Sequence, residues 1–336
     1  MIKKKICMLF AVVLLLVTLS QGAAFASHDT MGSYQGNAEE CYIGNLHQNF
    51  ESWVGRSESY VIDCIDPYSD SWDNIVWCNW LLDYWQQTGL LNKLILSVPM
   101  LPYDGSSTLS AGAAGSYDGY FRSLGDNLKS YGLGSMIIRL GWEFNGTWNS
   151  YYAGDGAETA FVNCWRKEVT AMKKASSSFK FLWCPALGVA DGNVNLDTAY
   201  PGNSYVNYIG ADIYDDCWAD NTYPIPANAT AAQKLTRWTN AWNYYTTQTY
   251  GLNWLSSLST STGKKIIIGE WGVDIRPDGH GGGDNPYFIQ WMHDWMAGID
   301  SKIFAQLYFN YNADDGNHLL TSPELVNAGN KFKALW

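Results

Sequence analysis

Eight short apolar runs, rich in Ile, Val, Leu and Phe, alternate with stretches of helical spacing along 336 residues. The runs cover residues 41–46, 60–65, 94–99, 136–142, 179–185, 206–214, 265–270 and 305–309. Between them, apolar residues recur three and four apart, as in Trp77, Trp80, Leu81, Tyr84 and Trp85 or in Phe161, Trp165, Val169 and Met172. Strand–helix alternation demands a parallel sheet, because parallel neighbours need a crossover. Eight repeats let that sheet close, so the expected fold is a single (β/α)8 barrel. In a barrel of this kind the C-terminal strand ends face the site, and several runs here end in polar or aromatic residues. The longest irregular stretches, 104–119, 191–204, 215–232 and 275–286, all follow strands and are the expected walls of a cleft.

The chain opens with Lys3, Lys4 and Lys5, an apolar run from Ile6 to Leu19, and Ala24-Phe25-Ala26. That is the order of a secretory leader, so residues 1–26 are expected to be removed and 27–336 to be a secreted catalytic domain, a monomer free of the membrane. Loss of the three lysines takes the formal charge from −11 to −14. Such a chain is repelled by nucleic acid and by anionic polymers, which leaves a neutral partner. Seventeen Trp and 22 Tyr suit that partner, since aromatic rings stack on the C–H faces of neutral sugars. The cysteines left after the leader are 41, 64, 78, 164, 184 and 217; an exported chain permits disulfides, and Cys184–Cys217 is the expected pair. No spacing of Cys and His matches a zinc site, and neither a metal nor a cofactor is expected.

Two runs end alike. Met136-Ile-Ile-Arg-Leu-Gly-Trp-Glu-Phe-Asn-Gly-Thr-Trp148 places Glu143 at a strand end among Trp142, Phe144 and Trp148. Lys265-Ile-Ile-Ile-Gly-Glu-Trp-Gly272 places Glu270 beside Trp271. A carboxyl group walled by aromatics is poorly solvated, so its pKa rises, as a general acid near neutral pH requires. Runs four and seven face each other across a barrel mouth. Two carboxylates there suit glycoside hydrolysis, with Glu143 as acid/base and Glu270 as nucleophile if about 5–5.5 Å separates them. Trp148 and Trp218 are candidate sugar platforms; Trp271 would line a subsite or pack beneath one. Arg139, inside run four, would pair with a core carboxylate or steer the nucleophile. His47 and His318 are possible rim contacts.

The segment Arg139-Leu-Gly-Trp-Glu-Phe-Asn-Gly146 resembles the acid/base motif of glycoside hydrolase family 26, where Glu-Met-Asn-Gly is usual. Ile-Gly-Glu-Trp-Gly around Glu270 looks like that family's nucleophile strand. The family includes endo-β-mannanases and some β-1,3-xylanases and lichenases. The resemblance implies a retaining endo-β-glycanase, with β-1,4-mannan as the first expectation, and makes Tyr214 the residue that orients the nucleophile through its hydroxyl. Trp142 and Asn145, within the motif, become expected substrate contacts. There is one departure: mannanases of the family usually carry His where this chain has Trp142. An indole donates one hydrogen bond and accepts none, so the contact near the sugar's 2-hydroxyl changes.

Overall fold

A computed structural model describes residues 26–336. Eight parallel strands close into a barrel in chain order. They are β1 (Met31–Tyr34), β2 (Tyr60–Cys64), β3 (Leu94–Val98), β4 (Ile137–Leu140), β5 (Lys180–Trp183), β6 (Tyr208–Tyr214), β7 (Lys265–Gly272) and β8 (Ile303–Phe309). The (β/α)8 expectation therefore holds. Nearly all of the expected leader, residues 1–25, lies outside the described residues. No described helix is long and apolar enough to cross a membrane.

The first strand is not where the apolar run placed it. Residues 41–44 and 46 lie in the helices Ala38–Gly44 and Leu46–Val54, with Asn45 as the cap between them. Asn37 caps the first of these, accepting from the amides of Glu39 and Glu40 while the Glu40 side chain accepts from Asn37 N. That reciprocal box nucleates a helix and overrides the apolar run. The real strand is only four residues long and carries Gly32 at the seam. A Cβ there would stand 2.6 Å from the Tyr60 carbonyl oxygen, so only glycine lets β1 approach β2 so closely.

Side chains alternate between the barrel's lumen and the helical layer. Ile62, Ile95, Ile137, Leu182, Ile267 and Leu307 fill the lower lumen as one apolar layer. A second, larger core lies between barrel and helices. Two positions beyond Ile95 and Ile137 the same parity carries Ser97 and Arg139 into the lumen, where apolar packing gives way to charge.

All six described cysteines are free, so the expected Cys184–Cys217 disulfide is absent. Cys184 points into the lumen and its thiol donates to Asp212 Oδ1 at 3.2 Å, away from the loop that holds Cys217.

Candidate active site

The site starts one layer above the lumen's Ile plug. Arg139 is wholly buried on β4. Its Nη1 donates to Glu270 Oε1 at 2.6 Å and to Ser97 Oγ at 3.2 Å, while Nη2 donates to Asp212. It therefore does both things the sequence left open: it pairs with a core carboxylate and grips the candidate nucleophile. A planar guanidinium suits this, since its fixed fork reaches β6 and β7 at once.

Glu270 gets there through a bulge. On β7 Ala211 pairs with Ile268 but Asp212 pairs with Glu270, so Gly269 is an extra residue. By strict alternation after the inward Ile267, Glu270 would face the helices. The inserted residue re-aims it over the lumen, a known use of bulges beside active sites. Gly269 is also required sterically, because a Cβ would lie 2.6 Å from Asp212 Oδ1 and 2.8 Å from Cys184 Sγ. The second Glu270 oxygen accepts from the Tyr214 hydroxyl at 2.5 Å. Asp212 and Tyr214 sit two apart on β6, hence on one face.

Glu143 is built differently. It follows β4 with a left-handed backbone, φ +49°, uncommon for a residue with a side chain and costly unless the surroundings fix it. They do: its amide donates to the Cys184 carbonyl at 2.9 Å, and its own carbonyl accepts from Gly146 N and from Asn149 Nδ2. Among the described residues the carboxyl has one hydrogen-bond partner, the Trp148 indole, which donates to Oε2 at 3.3 Å. Burial, with the nearby charge of Glu270, pushes its pKa up to about 7, against the smaller opposing pulls of Arg139 and Trp148. A group that is half protonated near neutrality can give a proton and take it back.

Both glutamates line one open cleft of about 1010 Å³. Trp142, Trp148, Tyr214 and Trp218 line it as well. Trp142 is nearly buried, with the Arg139 guanidinium 5.6 Å over its ring. Trp218 is 58 % exposed, stacked on His280 with ring centres 5.2 Å apart and with the Arg276 guanidinium 5.2 Å from its ring.

Two expected contacts lie elsewhere. Trp271 is fully buried against Tyr308, Phe288 and Trp336, its indole donating to Gln306 Oε1. The bulge that turns Glu270 inward leaves its neighbour facing the helices, so Trp271 packs and does not line the cleft. Asn145 is also buried: its Nδ2 donates to the Ala186 carbonyl at 2.9 Å and its Oδ1 accepts from Ala186 N. It ties the Glu143 loop to the loop after β5. Of the two rim histidines, His47 is buried in the helix Leu46–Val54, where Nδ1 meets Glu58 Oε2 at 2.6 Å. His318 does line the cleft, its ring 4.8 Å from that of Tyr214.

Sequence reading missed the acidic rim after β6, β7 and β8. Arg276 faces Asp216 and Asp274 at 3.8 Å and Asp315 at 3.5 Å. Burial pushes Asp216 up to about 7, against the pull of Arg276, and Asp274 up to about 8, with Asp216 adding to the rise. No local spacing announces this group, since three different loops supply it. Among the described residues no cluster of His, Cys, Asp and Glu is placed to hold a metal ion.

The fold is that of several solved structures. An endo-β-1,4-mannanase from Cellulomonas fimi, described as a family 26 mannanase, matches with a TM-score of 0.60 and 17% identity over 91% of this chain and 70% of that one. GH26C from a Muricauda species matches at 0.55 and 15%, over 93% and 90%. The Bacillus subtilis mannanase BCman matches at 0.52 and 15%, over 85% and 81%. At such identities the likeness is one of fold. No family model matches the sequence, and no curated protein does.

Proposed function

We propose that this chain is an exported glycoside hydrolase that cuts a neutral β-linked polysaccharide internally, with retention of configuration. The observation that carries the reading is the pair Glu143 and Glu270 in one cleft, the first poorly solvated and the second gripped by Arg139 and Tyr214. Protonated Glu143 gives its proton to the glycosidic oxygen while Glu270 attacks the anomeric carbon. Formation of the glycosyl ester removes the Glu270 charge that helps hold Glu143 protonated, so the Glu143 pKa falls and it serves as base toward the incoming water.

The cleft's lining supports internal cutting. Tyr68, after β2, and Trp218, after β6, both line it. In a closed eight-strand order β2 and β6 lie opposite each other, so the groove crosses the whole mouth and leaves room for chain on both sides of the glutamates. β-1,4-Mannan is the first candidate, from the resemblance and from the names of the structural neighbours. Trp142 favours a second reading, a β-1,3-xylan or β-glucan, because the indole offers no acceptor where the mannanases have His.

Hydrolysis of a panel of neutral polysaccharides, with products sized and the new anomer followed by NMR, tests this. Short oligosaccharides of retained β-configuration from one polymer are the expected result. Inverted product would refute Glu270 as nucleophile, and binding without release would make the chain a carbohydrate-binding protein.

A further inference from the structure

Resting on that reading, we propose that Tyr68 and Tyr103 form an outer subsite that stacks a neutral pyranose ring at the β2–β3 end of the cleft. Tyr68 and Tyr103 are 63 % and 52 % exposed, so both rings stay open to a ligand. Their rings meet edge to face, with centroids 5.7 Å apart and an interplanar angle of 74°. In that arrangement at least one ring keeps a free face. Tyr68 lines the same continuous cleft as Glu143 and Glu270, which fixes the occupant as a distal unit of the chain being cut.

The pair is built onto pinned loops. Asp66 Oδ1 accepts from Tyr68 N at 2.9 Å and the Asp66 carbonyl accepts from Ser69 N at 3.1 Å. Ser69 then joins the two loops, its carbonyl accepting from Tyr103 N at 2.6 Å. Asp104, next in sequence, is occupied by the amides of Ser106 and Ser107 and by the Ser107 hydroxyl. Asp66 and Asp104 are therefore engaged in holding the loops. Neither phenol hydroxyl bonds another group among the described residues, which leaves both free for sugar hydroxyls. Rigid aromatic faces with free hydroxyls suit a neutral sugar, and the low ordering cost favours stacking.

The test is kcat/KM along a ladder of oligosaccharides of the polymer the enzyme cuts, for the wild type, Tyr68→Ala, Tyr103→Ala and Tyr68→Trp. The wild-type value should climb with chain length until the outer site is filled. Tyr68→Ala should lose about three- to tenfold on the long members, chiefly in KM, and far less on the shortest one that is cut. Tyr103→Ala should show the same pattern, weaker, and Tyr68→Trp should restore the long-chain gain. An unchanged length profile in both alanine variants would overturn the subsite and leave the hydrolase reading intact. A loss equal at every length would also overturn it, since a general disturbance of the loop explains that. No cutting at any length would remove the hydrolase reading and this subsite with it.

Discussion

Glu143 and Glu270 line the same mouth, after β4 and on β7, at the ends of runs with nearly the same grammar, yet their surroundings share almost nothing. Glu270 is clamped: one oxygen on a wholly buried guanidinium, the other on a half-buried phenol. Glu143 meets a single long hydrogen bond from a partly exposed indole and is otherwise desolvated. A nucleophile gains from fixed aim, because displacement needs the oxygen in line with the anomeric carbon. A proton shuttle gains from a pKa near the working pH and from acceptors left open. The contrast teaches that role follows from environment, since both side chains are the same acid.

The largest effects should come from exchanging the acids themselves. Glu270→Gln should cost on the order of 10⁵-fold in kcat on every substrate, because no covalent intermediate forms. Glu143→Gln should cost about 10²- to 10⁴-fold on polysaccharide but little in the first step on an aryl glycoside whose phenol leaves unprotonated. A pre-steady-state burst with that glycoside separates the two; equal losses on both substrates would erase the difference in role.

Next comes the clamp. Arg139→Met leaves Asp212 and Glu270 as uncompensated charges and should destabilise the fold by roughly 3–5 kcal/mol in urea melts, with activity falling too. A variant as stable as the wild type would mean that the lumen charges are not coupled as the distances state.

The smallest effect sharpens the Glu143 side. Glu143 must hold its proton to act as acid, so activity on polysaccharide falls as pH rises through about 7. Trp148→Phe removes a bond to the ionised form, so the pKa rises further and the alkaline limb should move up by roughly half to one pH unit. The pH profile of kcat/KM measures it, and a shift to lower pH would show that Trp148 does not act through the carboxyl.

Much of this was legible in the chain. Strands two to eight and the two glutamates were placed by apolar runs and by the residues that end them, because a strand's burial and its terminus are local facts; the role of Tyr214 came from the family resemblance. The first strand was lost since Met31–Tyr34 is short and weakly apolar, while a capped helix downstream carries a stronger apolar run. Trp271 stayed open between subsite and packing for another reason. Its side follows from Gly269 being inserted in the ladder, and an insertion is defined only against the partner strand.

The sequence by itself determined the barrel and the two acids at the C-terminal ends of two strands, because period, parity and strand count act along the chain. Only the tertiary structure decided which tryptophans face the cleft, that Arg139 joins Asp212 to Glu270, and that Tyr68 and Tyr103 meet. Those facts depend on register and on loops brought together from distant positions, and a residue's neighbours in space leave no mark on its neighbours in sequence.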